Sequence, residues 1–262
     1  MVKVSVIIAT YNRFNCLIEA IDSVMRQTMQ DFEIIVVNDR SKQEHYYCCD
    51  FKSKYGDKLR VIHLDKNSSS MFGHASAGYV RTVGMREAKG EYIAFLDSDD
   101  IWVKNKLEVQ LKFMEKNNQV LSHTSYFVIN KKNKIISSRS AKKIITFEDL
   151  LKSCDIGLST AIVNTKFIKK KKYYFPKIKT KEDFVLWLKI AKEIKSIVGI
   201  DKKLTYYRKT ENSLSSNKLI GLLNGYKVYR NYMNYSQIKS FVYLIILSIN
   251  YFKKNILSKR FF

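Results

Sequence analysis

Over the first hundred residues, apolar runs of strand length alternate with segments that have helical periodicity. The runs are rich in β-branched side chains, as is typical of buried parallel strands. They are residues 4–10, 32–37, 59–64 and 91–97. Leu17, Ile21 and Val24 recur at helical spacing after the first run, and residues 80–89 have the pattern of a helix closed by Gly90. This alternation predicts an α/β fold with a right-handed, Rossmann-like parallel sheet.

Beyond residue 100 the alternation weakens, although strand-like and helix-like segments continue. The pattern predicts helices over residues 101–118 and 182–191 and short strands over residues 120–129, 135–137, 159–163 and 204–208. No repeat or flexible linker interrupts this part, so we predict that it completes the same domain. The predicted organisation is one domain over residues 1–218, with halves 1–100 and 101–218, followed by a C-terminal tail over residues 219–262.

The C-terminal tail has a different character. Residues 241–252 are nearly continuously apolar and aromatic, and four basic residues follow, Lys253, Lys254, Lys259 and Arg260. This apolar stretch is too short to cross a bilayer, which needs about 20 residues. A basic, aromatic-rich helix of this size suits the headgroup plane of a membrane. The alternative is a helix that packs on the domain or on a second copy of the chain, as a homodimer.

The charge is unevenly distributed along the chain. Residues 1–100 carry 13 lysines and arginines against 14 acidic residues, whereas residues 101–262 carry 34 against 10, and no acidic residue follows Glu211. Such a basic region favours an anionic partner, either membrane headgroups or nucleic acid. Lysine-heavy codon usage accounts for part of the excess. The chain has no helix-turn-helix, zinc-finger or RNA-binding motif, so we expect no nucleic-acid partner.

Leader and cysteine patterns indicate the compartment. Met1-Val2-Lys3 runs directly into a strand-like segment, so we expect no signal peptide. The four cysteines lack metal-ligand spacing, and the adjacent pair Cys48-Cys49 is a poor disulfide pattern. We therefore expect reduced thiols in a cytoplasmic protein that associates peripherally with the inner face of the cytoplasmic membrane.

The run at residues 91–97 ends in three carboxylates, Asp97, Asp99 and Asp100. Carboxylate oxygens suit Mg²⁺ or Mn²⁺, and Mg²⁺ is commonly bound by one or two carboxylates together with substrate phosphates. Open α/β sheets bind ligands at this edge. The alternative is an acidic turn that caps the following helix.

Two more strand ends carry polar groups, at residues 10–13 and at Asn38-Asp39. A parallel sheet brings its strand ends to one edge, so these groups are expected beside the three carboxylates. A nucleoside diphosphate with its metal is one ligand that such an edge can hold. No phosphate-cradling glycine loop follows the first strand, so the metal is expected to carry more of the diphosphate charge.

These segments resemble glycosyltransferase family 2, an enzyme family with the GT-A fold. The resemblance rests on five segments in the order usual for the family. They are residues 4–13, 34–41 and 81–100, the pair Glu182-Asp183, and Tyr207-Arg208 followed by Ser213-Leu214-Ser215. The resemblance covers about residues 1–217. It implies a mostly parallel central sheet flanked by helices, with a nucleotide-sugar-binding first half and an acceptor-binding second half.

On the donor side, the resemblance implies contacts to the nucleotide base, usually uracil, from Thr10, Tyr11 and Asp39. Arg13 lies in the same motif and belongs to the expected donor-binding set. The family usually has glycine where this chain has Arg40, which we expect to alter the turn near the base.

For the rest of the donor, the resemblance implies that Asp97 holds the ribose side and that Asp99 ligates Mn²⁺ or Mg²⁺. Arg81 matches a residue near the donor phosphates, and Ser98 lies inside the metal motif. The family asparagine after Arg81 is replaced by Thr82, so a contact from that position is lost or changed.

On the acceptor side, Asp183 of the pair Glu182-Asp183 matches the general base that deprotonates the acceptor hydroxyl. Arg208 matches a residue that stabilises a loop or the leaving diphosphate. A carboxylate pair at a helix start also complements the helix dipole, so that structural role stays open for Asp183. Trp187 is expected in the core, and His74 in a loop rather than at the donor.

Together these features predict a metal-dependent inverting transferase. We expect it to move one sugar from a UDP donor to a lipid-linked or cell-surface oligosaccharide acceptor. No Gln-x-x-Arg-Trp signature of processive synthases is present. The alternative enzyme is a sugar-phosphate nucleotidyltransferase, which would need a glycine-rich basic loop after the first strand.

Overall fold

A computed structural model describes residues 2–209 and 218–258 of the chain. These residues form one sheet of ten strands. The strands are β1 Val4–Thr10, β2 Phe32–Asn38, β3 Leu59–His63, β4 Tyr92–Phe95, β5 Ile101–Trp102, β6 Leu121–Ile129, β7 Ile135–Arg139, β8 Ile144–Ile145, β9 Ile162–Asn164 and β10 Ile197–Arg208.

Helices cover both faces of the sheet, and the last two helices follow the final strand along the chain. They are α1 Phe14–Met25, α2 His45–Cys48, α3 Phe51–Tyr55, α4 Ser68–Phe72, α5 Ala77–Glu87, α6 Lys106–Lys116, α7 Phe147–Lys152, α8 Thr165–Lys171, α9 Glu182–Glu193, α10 Lys218–Lys227 and α11 Gln237–Ser258. A π-helical turn, Val228–Tyr232, follows α10.

The sheet order is β3-β2-β1-β4-β9-β6-β10-β5. The first four strands pair in parallel, as the sequence predicts. In this register Thr10 lies opposite Asn38, and Ile7 lies opposite Phe95. The segments that follow β1, β2 and β4 therefore leave the sheet at a common edge, which brings the predicted site residues together. From β9 onward parallel and antiparallel pairs are mixed.

Alternation along β1 places apolar side chains on both faces of the sheet. Val6 and Ile8 join the core beneath α1, α3 and α6. Ile7 joins the opposite core, which includes residues of α5, α7 and α9 and also Tyr229 and Leu247 of the tail. A sheet buried on both faces explains why the first strands are apolar throughout.

Three predicted elements need correction. The strand expected over residues 159–163 is shorter, because Leu158–Thr160 forms a 3-10 turn and only Ile162–Asn164 is paired in the sheet. The helix expected over residues 101–118 is wrong at its start, because Ile101–Trp102 pairs with β10 and the helix begins at Lys106. The strand expected over residues 204–208 begins earlier, at Ile197. Charged residues hide this extension, because Asp201 and its neighbours lie where the register between β10 and β6 slips.

The described part of the tail packs on the domain through one face. Leu247 of α11 is buried, and Asn250 Nδ2 donates to the Lys152 carbonyl oxygen over 3.0 Å. The opposite face of α11 is exposed and largely apolar; it carries Ile238, Phe241, Val242, Ile245, Ile249 and Phe252. Tyr251 is also exposed, but it lies one turn after Leu247, on the side of the packed face. Within residues 2–209 and 218–258, no helix combines the length and the apolarity that crossing a bilayer requires.

Candidate functional site

Each carboxylate after β4 has its own partner. Asp97 Oδ1 accepts a hydrogen bond from Arg81 Nη2 over 2.7 Å, and Asp99 Oδ2 accepts one from Arg13 Nη1 over 2.5 Å. Burial and the charge of Asp97 raise the pKa of Asp99, whereas Arg13 opposes the shift. Burial and Asp97 thus disfavour the ionised form of Asp99, and a nearby positive charge stabilises it.

Asp100 has a structural environment. It is 1% exposed, and it accepts hydrogen bonds from Ser159 Oγ over 2.6 Å and from the backbone N–H of Arg208 over 2.8 Å. Burial and the two neighbouring carboxylates raise its pKa well above the ordinary range. Asp100 is thus a buried structural carboxylate, while Asp97 and Asp99 stay more accessible. The alternative of an acidic turn that caps the following helix is wrong, because α6 begins at Lys106 and its N-cap is Asn105.

The guanidinium of Arg208 braces this acidic segment. Its Nε donates to the carbonyl oxygen of Asp99 over 2.8 Å, and its two terminal nitrogens donate to Asn133 Oδ1 and Glu19 Oε2 over 2.5 and 2.6 Å. Arg208 is 5% exposed. Its donors hold three chain segments together, so this geometry supports the expected role of Arg208 in stabilising a loop. The motif residues 213–215 lie outside the described residues.

The ends of β1 and β2 form the other part of this edge. Asp39 follows β2, and its backbone N–H donates to the Thr10 carbonyl oxygen over 2.9 Å. Its carboxylate accepts from the backbone N–H and the hydroxyl of Ser68 over 2.7 and 2.6 Å, and burial raises its pKa. The hydroxyl groups of Thr10 and Tyr46 lie 2.6 Å apart, and Tyr11 is 41% exposed.

The turn at Arg40 keeps a backbone conformation that favours glycine. Arg40 has φ 52° and is exposed, so the larger residue adopts the left-handed conformation that the usual glycine adopts easily. Asn38 Oδ1 closes the turn by accepting from the backbone N–H of Ser41 over 3.0 Å. The turn therefore holds a large, exposed side chain at a left-handed position.

Asp183 lies in the first turn of α9, after a strained residue. Lys181, at the helix N-cap, has φ 67° and makes no side-chain capping hydrogen bond. Asp183 Oδ1 accepts from the backbone N–H of Phe184 over 2.7 Å. Burial raises the pKa of Asp183, and the charge of Arg81 opposes that shift.

Arg81 joins the two carboxylate groups. Its Nη1 donates to Glu182 Oε1 over 2.6 Å while its Nη2 contacts Asp97. Its side chain is only 10% exposed, and the guanidinium also lies 5.7 Å from the ring centre of Phe175. One guanidinium thus brings the end of β4 and the start of α9 to the same place. We call residues 97–100 with Thr10 and Asp39 the donor edge, and residues 180–183 the base turn.

The carboxylates of the donor edge suit a divalent cation that is also bound by the phosphates of a ligand. Among the residues that the structure describes, no group of three or more His, Cys, Asp or Glu side chains is arranged to hold a metal. Asp99, with Asp97 two residues away, supplies the oxygen chemistry that Mg²⁺ or Mn²⁺ prefers, and diphosphate oxygens would supply the rest. Burial and the charge of Asp97 raise the pKa of Asp99, and a divalent cation would offset that charge as Arg13 does.

Several contacts at the site escaped sequence reasoning. Ser159 binds Asp100 and also accepts from the backbone N–H of Asp97 over 3.0 Å. Tyr46 and Ser68 contact Thr10 and Asp39, and only the Asn-Ser cluster around Ser68 carries a helix-start signal. Ser98 is 4% exposed and so is buried within the acidic segment.

Two residues outside the site lie where the sequence predicts. Trp187 is fully buried in the core. His74 is in a loop, where its Nε2 lies 3.1 Å from the Lys177 carbonyl oxygen.

Comparison with known proteins identifies the matching family. Residues 5–175 match the model of glycosyl transferase family 2. The chain is 34% identical over 220 residues to WfgD of Escherichia coli, a UDP-Glc:alpha-D-GlcNAc-diphosphoundecaprenol beta-1,3-glucosyltransferase; the match covers 82% of this chain and 80% of WfgD.

Longer relatives match as well. The chain is 40% identical over 228 residues to a glycosyltransferase of Rickettsia felis; the match covers 85% of this chain and 36% of that protein. The chain spans about a third of the length of the Rickettsia relatives it matches at this level.

Among solved structures, TarS of S. aureus in complex with UDP-GlcNAc superposes with a TM-score of 0.68 at 23% identity, over 92% of this chain and 70% of TarS. The likeness confirms the GT-A type of fold.

Proposed function

The chain belongs to glycosyltransferase family 2, and on this premise we propose that it transfers one sugar from a nucleoside-diphosphate donor to a lipid-linked glycan in cell-surface glycan assembly. The observation that carries the proposal is the contact of Arg81 with both Asp97 and Glu182, because it brings the donor edge and the base turn together. Family membership disfavours the nucleotidyltransferase alternative.

For the donor we propose a UDP-sugar bound with Mn²⁺ or Mg²⁺. Thr10, Tyr11 and Asp39 would face the base, Asp97 the ribose, and Asp99 the metal, which offsets charge on the leaving diphosphate. WfgD, which uses UDP-Glc according to its name, supports this donor class. The sugar is a hexose or an N-acetylhexosamine in this proposal.

Asp183 is the proposed general base of an inverting displacement. It takes the proton of an acceptor hydroxyl as that oxygen forms a bond to C1 of the sugar. The bond from C1 to the diphosphate oxygen breaks, and its electron pair leaves with the nucleoside diphosphate. The raised pKa of Asp183 makes it a stronger base than an ordinary aspartate, provided that it is ionised.

The proposed acceptor is an oligosaccharide on a polyprenyl-diphosphate or a related lipid. Support comes from WfgD, whose name specifies a diphosphoundecaprenol acceptor. The basic character of residues 101–262 favours an acceptor that carries a diphosphate. Transfer of a single sugar fits the absence of a processive signature in the sequence.

We propose that the exposed face of α11 lies on an anionic membrane surface. Its exposed apolar side chains include Ile238, Phe241 and Ile245, and Lys239 and Lys253 lie on the same helix. No acidic residue follows Glu211 in the sequence, so nothing in this region repels an anionic surface. The protein would then be peripheral, at the cytoplasmic face of the membrane.

Flotation with liposomes tests this membrane contact. Because Leu247 and Tyr229 of the tail are buried in the core, surface substitutions are a cleaner test than deletion. The triple variant I238S/F241S/I245S should lose binding to anionic liposomes, while I135S/I144S, exposed on the sheet, should retain it. Unchanged binding by the triple variant contradicts the proposal. A change from dimer to monomer in sedimentation, with liposome binding unchanged, would assign this face to a second copy instead.

A donor panel tests the proposed activity. Hydrolysis and calorimetric binding of UDP-, GDP- and dTDP-sugars with Mn²⁺ should identify one donor for the native chain. Asp99→Asn should abolish its metal-dependent turnover, whereas Asp57→Asn, at a 92% exposed carboxylate, should not. Failure of every nucleotide to bind the native chain, with or without metal, would reject the proposal.

A further inference from the structure

We propose that the tail positions the catalytic base, and that Asn224 of α10 is a positioning residue for Asp183. This inference rests on the proposed function, in which Asp183 is the base. It assigns to the tail a role at the site itself, in addition to the membrane contact of its outer face.

One contact from the tail precedes Asp183 in the chain. Asn224 Nδ2 donates to Thr180 Oγ1 over 3.0 Å, and the two residues are 6% and 8% exposed. Thr180 is the first residue of the base turn, three positions before Asp183. A buried hydrogen bond between two short side chains allows little freedom, so it fixes the distance between α10 and this turn.

A second contact follows Asp183. The ring of Phe184 packs edge-on against Tyr229, with centroids 6.4 Å apart and planes at 85°. Tyr229 is itself fixed, because it is fully buried and its hydroxyl donates to the Leu151 carbonyl oxygen over 2.7 Å. The tail therefore holds the chain on both sides of Asp183.

The base turn needs such support, because its backbone is strained. Lys181 has φ 67°, which is unfavourable for a residue with a Cβ atom. A Cβ atom on Gly225 would lie 3.7 Å from Lys181 Cε, so α10 approaches the turn closely. On the other side, a Cβ atom on Gly78 would lie 3.0 Å from Glu182 Cβ. The turn is thus packed between α5 and α10.

The donor edge takes its side-chain partners from other parts of the molecule. Asp97 and Asp99 are held by Arg81 and Arg13, and Asp100 is held by Ser159 and the backbone of Arg208. None of these partners belongs to the tail. Loss of the Asn224 contact should therefore impair proton removal from the acceptor while donor binding is retained.

Two substitutions remove the contact from opposite sides, Asn224→Ala and Thr180→Val. Each should lower kcat for transfer about ten- to a hundredfold, because a misplacement of about 1 Å at a reacting group costs rates of this order. The donor Kd should stay within about twofold of native. Thr180→Ser keeps the hydroxyl and should retain native kcat. Asn250→Ala removes a more exposed amide contact of the tail, to the Lys152 carbonyl, and should also leave kcat unchanged.

Hydrogen exchange of peptides over residues 180–186 supplies a readout that does not depend on activity. Exchange should be faster in Asn224→Ala and Thr180→Val than in the native protein and in Asn250→Ala. Should Asn224→Ala fail to fold, Thr180→Val carries the test, since it replaces a hydroxyl by a methyl group of similar size. If the native protein transfers no sugar, the proposed function fails, and exchange still tests the positioning.

Two results would overturn the inference. One is native kcat and native exchange in both variants, which would mean that the contact does not hold the base turn. The other is a rise in donor Kd that matches the fall in kcat, which would mean that the tail supports the whole site and has no selective effect on the base.

Discussion

The donor edge and the base turn lie on either side of Arg81, but they are held in place by different kinds of structure. The donor edge consists of strand ends, and the parallel register of β1, β2 and β4 brings those ends together. The base turn is the strained start of α9, and it is held by α5 and by the tail. Substitutions in the tail should therefore affect proton removal by Asp183 more than donor binding.

Arg81 connects the two regions, and its position explains why a buried arginine is needed there. Both Asp97 and Glu182 contact its guanidinium, which offers two hydrogen-bonding directions in one plane. Lysine has a single ammonium group and does not reproduce this geometry.

The largest expected effect is on the rate of transfer, with little change in nucleotide binding. Asp183→Asn removes the proposed base, so kcat for transfer should fall by about 10²–10⁴-fold, the usual contribution of a general base. Nucleotide binding should change little, because Asp183 does not belong to the donor edge. Single-turnover transfer and calorimetry measure the two quantities. Glu193→Gln, at the other end of α9, is the matched control and should retain native kcat.

The next effect removes the connection between the regions. Arg81→Met leaves Asp97 and Glu182 without their shared partner, and we expect the free energy of unfolding to fall by about 3 kcal/mol, as for other broken buried pairs. Donor binding and transfer should fall together. Arg86→Met, on the exposed face of the same helix, should have little effect in urea unfolding. Equal stability of the two variants would contradict this account.

A smaller effect concerns the buried polar network around Lys106. Lys106 is fully buried and donates to Gln110 Oε1 and to the Thr160 carbonyl oxygen over 2.5 and 3.2 Å. Burial lowers the pKa of Lys106 to about 7. Between pH 7 and the ordinary value of 10.5, the unfolded chain binds the proton more tightly, so this residue adds stability as pH rises.

Lys106→Met should remove that pH dependence. The difference in free energy of unfolding between the native chain and the variant should grow by about 2 kcal/mol from pH 7 to pH 9. Lys112→Met, at an exposed lysine of the same helix, should show no such change. A difference that is constant with pH would mean that Lys106 stays charged in the fold.

The smallest effect is a shift in the pH profile of transfer. The base acts when ionised, so activity should be lost as pH falls through the pKa of Asp183, which burial raises above the ordinary 3.8. The positive charge of Arg81 opposes that shift. An Arg81→Lys variant that still folds should make a weaker contact, so it should lose activity at a higher pH than the native protein does. A profile that is flat down to the ordinary value would contradict the raised pKa of Asp183.

The donor edge could be predicted from the sequence because the parallel topology alone brings its residues together. Strand ends that are distant in sequence meet in a parallel sheet, so Thr10, Asp39 and Asp97 were predictable neighbours. The prediction for the helix at residues 101–118 failed because the two-residue strand Ile101–Trp102 is defined by its partner β10. Its apolar residues have no local signal that separates strand from helix.

The base turn was predictable only in part. The pair Glu182-Asp183 is visible in the sequence, whereas the left-handed backbone of Lys181 and the hydrogen bond between Asn224 and Thr180 arise from packing between distant segments. The structural roles of Asp100 and Arg208 also depend on their partners in the fold. The division of the chain at residue 218 and the roles of the site residues stay predictions.

The central claim is that one region holds the donor with its metal and the other removes the proton. The most direct test measures Mn²⁺-dependent nucleotide binding and sugar transfer in parallel for Asp99→Asn and Asp183→Asn. The account predicts that Asp99→Asn binds nucleotide at least about tenfold more weakly, or 1.4 kcal/mol, in the presence of metal, whereas Asp183→Asn binds it as the native chain does and fails to transfer. Native metal-dependent binding in Asp99→Asn, or native transfer in Asp183→Asn, would contradict it.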